Sequence, residues 1–302
     1  MEMKQLNDQC YVFCSSVNVG YVRNHDQGML IDAAIDRSAI RKVVRQLEEQ
    51  GLPITHLFIT HAHADHYGGA SYLVKNYGVK IIAPTFESVI LANPILEPTY
   101  LFSGNDPLDE LRNKFLEGPP IKIDIEVNEG QHQVDRFHFE TIATPGHSYN
   151  QMALKVNGIL YAADSYFGKD ELHKHKIPYI TSVEKTLLSL EKLKNVQADG
   201  AVPGHGIYEI DFKETIDKNI EYHQDLLHKV YCIILDKQTI SHEELVSVFC
   251  ADMGVKSSSL GPFLLFKTAV TAYLTALINE EKVKHYIQHY RWMFKINGEE
   301  GS

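Results

Sequence analysis

The stretch ITHAHADHYGG, residues 59–69, places three histidines and one aspartate within the six positions 61–66. It follows HLF at the end of HLFIT (56–60), an apolar run that reads as a short buried strand. Polar groups at the point where a strand gives way to a loop are held by a rigid scaffold, which is where functional side chains concentrate. His61 and His63 are two residues apart, so on extended backbone they point the same way. Asp65 and His66 lie beyond a bend and can face a second point nearby. Gly68 and Gly69 permit close backbone approach. Nitrogen and oxygen donors with no cysteine among them suit zinc, and also iron or manganese. A solvated histidine-rich loop explains any one of these residues, but explains the joint H-x-H-x-D-H pattern after a buried strand poorly.

Outward from this motif the chain reads as strands alternating with helices. CYVFCSSV, VGYVR and MLID are strand-like, with NHDQG (24–28) as a turn. SAIRKVVRQLEEQ places Ile40, Val43, Val44 and Leu47 at helical spacing, and Gly51 stands where a C-cap belongs. ASYLVKNY predicts a helix and VKIIAP a strand. Residues 85–120 break the pattern: five prolines are mixed with apolar patches, which predicts an insertion of short helices and loops. IKIDIEV (121–127) alternates as a half-buried strand, FHFETI follows, and Asn157-Gly158 joins MALKV to ILYAAD as a hairpin. A helix fits 182–194. DELHKHK, with His173 and His175, reads as a solvated loop. From Phe212 the chain is helical: a long first helix, a second opened by the Ser241/Glu244 capping box, an apolar third, PFLLFKTAVTAYLTALI, and a terminal hairpin over EKVKHYIQHYRWMFKI. This order predicts a catalytic domain over 1–210 and a small winged-helix-like domain over 211–302.

The 302 residues are 44% hydrophobic and 23% charged, with a formal net charge of −10. Acidity of this size argues against nucleic acid or an anionic membrane as the default partner. No apolar run long enough to span a bilayer is read, and MEMKQLNDQC lacks the core of a signal peptide, so a cytoplasmic location is expected. Cys10, Cys14, Cys232 and Cys250 have no disulfide-framework spacing. Cys10 and Cys14 read as small strand residues.

Downstream, three more metal-capable residues each end a strand-like run: His147 in TPGHS, Asp164 in YAAD and His205 in PGHG. The set resembles the metallo-β-lactamase superfamily over about residues 10 to 210. That resemblance implies an α+β fold, a four-layer αββα sandwich with a dinuclear site along one edge of its sheets. It assigns His61, His63 and His147 to the first metal, Asp65, His66 and His205 to the second, and Asp164 to a bridge between them. Asp32, closing MLID, matches a position that orients the site by hydrogen bonds. The implied cofactor is zinc, two ions per chain, with iron or manganese fitting the same donors. The implied reaction is attack by a metal-bridging hydroxide, with Asp65 or Asp164 relaying a proton.

Many true β-lactamases of the superfamily carry cysteine where this chain has Asp164, so the chain looks more like hydroxyacylglutathione hydrolases and their relatives. Two features depart from the usual pattern. Ala163 precedes Asp164 where glycine is common, and GHSYNQMAL resembles the beta-lactamase-like protein 2 group, which carries a C-terminal winged helix and includes an endoribonuclease. The favoured reading is hydrolysis of a small ester, thioester or lactone. The competitors are a nuclease or phosphodiesterase and, in a redox class, a mononuclear iron persulfide dioxygenase, which would leave Asp65, His66 and His205 unused. Residues 211–302 hold ten Lys and Arg against thirteen Asp and Glu. A phosphate-binding module should be basic, so this segment is read as a packing or dimerisation element, although Lys282, Lys284, Arg291 and Lys295 cluster on the hairpin. The 85–120 insertion is expected to form a lid, with Tyr100 and Phe102 as substrate contacts. Tyr166 is expected either to border the pocket or to pack beneath it.

Overall fold

The structure is a computed structural model and describes residues 1–298. A first sheet holds β1 (Glu2–Gln5), β2 (Cys10–Cys14), β3 (Val19–Asn24), β4 (Gln27–Ile31), β5 (His56–Phe58), β6 (Lys80–Pro84) and β7 (Ile125–Val127) in spatial order. It is antiparallel from β1 to β4 and parallel from β4 to β7. The parallel half needs crossovers: α1 (Arg37–Glu49) supplies the one from β4 to β5, α2 (Ala64–Tyr67) and α3 (Ala70–Tyr77) the one from β5 to β6, and the insertion the one from β6 to β7. Asp36 caps α1 by accepting from the Ala39 N–H, and Ile40, Val43, Val44 and Leu47 are buried on its inner face. The insertion contributes α4 (Thr85–Ala92), α5 (Leu96–Leu101) and a 3-10 turn at Asp109–Leu111.

The second sheet runs β12-β11-β10-β9-β8, from β8 (Gly130–Val134), β9 (Phe137–Ala143), β10 (Met152–Val156), β11 (Ile159–Ala163) and β12 (Gly200–Pro203). Three apolar layers separate four structural ones. Leu30, Leu57 and Ile81 meet α1 and α3 outside the first sheet. Val12, Met29, Phe58, Phe139, Leu154 and Tyr161 fill the space between the sheets. Ile142, Leu160 and Ala201 face Leu190, Leu193, Phe212 and Ile216 of α7 (Val183–Lys194) and α8 (Phe212–Lys237). The short α6 (Lys169–His175) precedes α7. This is the αββα sandwich.

After α8 come β13 (Ile240–Ser241), α9 (His242–Asp252), α10 (Leu260–Asn279), β14 (Val283–Gln288) and β15 (Arg291–Ile296), with sheet order β13-β15-β14. Their apolar core joins Val230, Phe249, Tyr273, Leu274 and Phe294 and also takes in Ile177, Ile180 and Val183. By length and composition α10 could cross a membrane, but Ala269, Val270, Tyr273, Leu274 and Leu277 bury one side of it in this core.

Two local expectations need correction, and two strands were unexpected. IKIDIEV is a strand only over Ile125–Val127. The Asp124 carboxylate accepts the Ile81 N–H at 2.9 Å, taking the partner that a longer ladder would use. DELHKHK is the helix α6, and the ring of His175 lies 5.7 Å from that of His205. The strands β1 and β8 had no sequence signal because EMKQ and GQHQV are polar. Both lie at sheet edges, where polar strands are the rule.

Candidate metal centre

The pairing directions bring the C-terminal ends of β4, β5, β9, β11 and β12 to one edge of the sandwich. Asp32 follows β4, His61 follows β5, His147 follows β9, Asp164 follows β11 and His205 follows β12. The motif therefore supplies four donors, and three strand ends of the second sheet supply the rest.

In the first group, His61 Nε2 stands 3.0 Å from His63 Nδ1, which stands 2.8 Å from His147 Nε2. In the second, His66 Nε2 lies 4.0 Å and His205 Nε2 3.6 Å from Asp65 Oδ2. Asp164 lies between the groups, with Oδ1 3.2 Å from His66 Nε2 and Oδ2 3.3 Å from both His147 Nε2 and His205 Nε2. Donor atoms of His61, His63 and His147, and those of Asp65, His66 and His205, each fall within the small volume one cation would occupy.

The far side of these rings sets their tautomers. His147 Nδ1–H donates to the Tyr179 carbonyl at 2.9 Å, and His205 Nδ1–H donates to the Ser16 carbonyl at 2.7 Å. His66 Nδ1–H donates to Asp32 Oδ2 at 2.7 Å. Each bond turns an Nε2 lone pair toward the centre, as outer partners do at metal sites. Asp32 also accepts from the Thr60 N–H and hydroxyl, at 2.9 and 3.0 Å, and Thr60 Oγ1 is 3.0 Å from His61 Nδ1. One buried carboxylate thus orients both groups. It does so from a left-handed backbone, φ +63°, a strained conformation for a non-glycine residue of the kind that gathers at functional sites.

The donors fit a metal. His66 Nε2 and Asp164 Oδ1 are buried 3.2 Å apart and have no hydrogen-bond partner but each other among the described residues, and buried polar groups with so few partners are costly unless something else fills the gap. Gly204 leaves the space: a Cβ there would lie 1.9 Å from Asp164 Oδ1 and 3.0 Å from His66 Cε1.

Without a cation, the two groups carry opposite electrostatics. Burial, with neighbouring imidazoles, holds His61 well below its ordinary value. Burial brings His63 to about 4 and His147 to about 3, against the pull of Asp164. Burial also opposes charge on His66 and His205, but carboxylates outweigh it. Asp164, Asp32 and Asp65 hold His66 well above the usual range, and Asp164 with Asp65 brings His205 to about 9. Burial would raise Asp164, yet His205, His66 and His147 hold it well below.

A family model described as "Metallo-beta-lactamase superfamily" matches residues 12–205. The chain belongs to this superfamily. Among curated members, it is 33% identical over 111 residues to a hydroxyacylglutathione hydrolase of Bradyrhizobium sp. (strain ORS 278), a match covering 37% of this chain and 42% of that protein. It is 26% identical over 157 residues to the hydroxyacylglutathione hydrolase of Nitrobacter winogradskyi, covering 51% of this chain and 50% of that protein. The chain thus spans half or less of the length of these two relatives. A probable metallo-hydrolase of Bacillus subtilis is 24% identical over 196 residues, covering 63% and 84%. Two solved superfamily structures share the fold. A beta-lactamase domain protein from Burkholderia ambifaria has TM-score 0.74 and 17% identity, covering 98% of this chain and 94% of that one. A metallo-beta-lactamase family protein from Thermus thermophilus has TM-score 0.72 and 19% identity, covering 95% and 99%.

Beside the superfamily centre, a cavity of about 370 Å³ is bordered by Ala62 and His63 and walled by α4 and α5. Tyr100 lines it. Phe102 packs instead with Leu101, Leu111, Leu116 and Leu264, where the insertion meets α10. Tyr166 is buried in the apolar layer under α7 and α8, its hydroxyl without a partner among the described residues. Two residues had no sequence signal. Glu87 on α4 accepts the Ala62 N–H at 2.9 Å, the Ser148 hydroxyl at 2.7 Å and the Asn150 N–H at 2.8 Å, joining the two loops that carry His61, His63 and His147. Tyr179 presents its carbonyl to His147, and its ring lies 5.4 Å from that of His63. A lone glutamate and a lone tyrosine far from any motif carry no pattern.

Proposed function

We propose that this chain is a dinuclear metal-dependent hydrolase of small esters, thioesters or lactones. The observation that carries the reading is the seven converging donors, split into two groups that share Asp164. One cation needs only three or four protein ligands. His61, His63 and His147 would hold one zinc ion, Asp65, His66 and His205 the other, and Asp164 both. When bound, such a pair lowers the pKa of a shared water and polarises a carbonyl or phosphoryl oxygen.

The chain's own residues supply the rest. Asp32 and the Tyr179 and Ser16 carbonyls hold the rings in place. The Asp65 side chain is 32% exposed and that of Asp164 only 4%, so Asp65 is the carboxylate placed to pass a proton to solvent. Among the described residues no Lys or Arg lines the cavity beside His63, Lys185 standing only at its rim, which favours a carbonyl substrate over a polyanionic phosphodiester. Residues 211–298 serve in this reading as a packing unit against the sandwich and the insertion. The curated hydroxyacylglutathione hydrolases agree with a thioester. The test is a panel of thioesters, lactones, phosphodiesters and β-lactams with zinc-reconstituted protein. Turnover of the first two classes is expected, and turnover of phosphodiesters alone would replace this reading with the nuclease one.

A further inference from the structure

We infer that the cavity beside His63 is an acyl pocket, and that the substrate is an ester or thioester whose acyl group is apolar and larger than acetyl. This rests on the hydrolase reading and adds the substrate's chemical class. The cavity, at about 370 Å³, falls in the range of small-molecule sites, roughly 300–1,000 Å³. Its apolar walls include Phe86, Ile90, Leu96, Tyr100 and Tyr149, and His63 lines it as well. Phe86, Leu96, Tyr100 and Tyr149 are 43%, 37%, 43% and 60% exposed. Large apolar side chains left open together around one concavity mark a binding site.

Four polar side chains of the wall, Thr99, Thr181, Ser148 and Glu87, strengthen the assignment, because they are committed elsewhere. The Thr99 hydroxyl donates to the Ile95 carbonyl at 2.7 Å, and that of Thr181 to the Gly146 carbonyl at 3.0 Å. The Ser148 hydroxyl donates to Glu87, whose two oxygens are taken by Ala62, Ser148 and Asn150. A polar ligand group entering here would give up water and find few partners, which is costly. An alkyl or aryl group would lose nothing. At the rim, the Phe86 and Tyr149 rings lie 4.4 Å apart, and the Lys185 ammonium covers Tyr149 at 4.8 Å. The scissile carbonyl then falls between the cavity and the donors. The oxygen of water bonds to the acyl carbon and the C–O or C–S bond breaks. The alcohol or thiol departs with one proton, and the acid remains as its carboxylate with the second proton released to solvent.

A second, more polar groove shares Tyr100 and Thr181 with this cavity and continues past Lys267, His242 and Thr271. It gives the leaving group a route on which polar atoms find partners.

Two readouts test the pocket. Calorimetric titration with linear alkanoates from acetate to decanoate reads binding directly, without turnover. Hydrolysis of p-nitrophenyl esters and thioesters of the same chain lengths reads catalysis. Each methylene that fits should tighten binding and raise kcat/KM about fourfold, the factor expected from burying one CH₂. Ile90→Trp and, independently, Leu96→Trp should fill the cavity and lower the octanoyl-to-acetyl ratio at least tenfold. Affinities and rates that do not change with chain length, in a protein that hydrolyses the acetyl ester, would overturn the acyl pocket and leave the hydrolase reading standing. Alkanoate affinity that rises with length, in a zinc-loaded protein that turns over none of the esters or thioesters, would support the pocket and overturn the hydrolase reading.

Discussion

The two donor groups of the candidate metal centre are both built on histidine and prepared in opposite ways. His61, His63 and His147 are buried among one another and kept neutral, with His63 near 4 and His147 near 3. His66 and His205 are ringed by Asp32, Asp65 and Asp164 and hold protons, His205 up to about 9. A neutral imidazole is ready to bind a cation, whereas a protonated one must first release its proton. Whether an imidazole is a waiting ligand or a proton store is thus decided by the carboxylates beside it.

Removing the shared carboxylate should break the contrast most severely. In Asp164→Asn both groups lose the charge that sits between them. The second equivalent of zinc should be lost on desalting, and kcat/KM should fall more than about a hundredfold, beyond the range typical of residues outside the ligand shell. Elemental analysis and steady-state rates would check both.

Next in size is the pH dependence. Below about 9, His205 of the metal-free protein is protonated, so uptake at the second group must release protons and should tighten as pH rises toward 9. The first group, neutral above about 4 at His63, should bind with nearly constant affinity from pH 6 to 9. Calorimetry in buffers of different ionisation enthalpy would count the protons. The same sign governs metal-free stability. A His205 pKa raised in the folded state stabilises fully below the ordinary 6.5, and that contribution disappears as pH climbs through about 9. Melting temperatures of the metal-free protein between pH 6 and 10 should follow.

Asp32→Asn should sharpen the contrast by weakening the second group about 10–100-fold in metal affinity, the usual effect of losing an orienting carboxylate, with less effect on the first. Competitive chelator titration would separate the two. Glu87→Gln should act on the first group instead, because one amide cannot accept from all three donors that Glu87 serves. A loss of about 2 kcal/mol in denaturant unfolding is expected, the scale of one charge-assisted hydrogen bond. Tyr166→Phe should have the smallest effect, within about 0.5 kcal/mol, since its buried hydroxyl has no partner among the described residues to lose.

How far these features could be read in the sequence differs by kind. The candidate ligands stood out because metal chemistry demands particular residue types at strand ends, and the alternation around ITHAHADHYGG and YAAD exposes those ends. The sandwich was legible for the same reason, as strands buried on both faces show as apolar runs. The edge strands β1 and β8 were not, because their solvent side leaves no apolar signature. The walls of the cavity were only partly readable. Tyr100 and Phe102 are neighbours in sequence, but the turn of α5 sends one to the cavity and the other to α10. Glu87 acts through backbone amides of Ala62 and Asn150, and a contact with backbone amides selects no residue type at the other end.

The central claim is that two cations share Asp164. Its most direct test is elemental analysis of the 302-residue chain, reconstituted with excess zinc and desalted at pH 8. The account predicts two zinc ions per chain, the second lost first as pH is lowered. A stoichiometry that remains at one, with Asp65→Ala and His205→Ala binding zinc as the parent does, would contradict it.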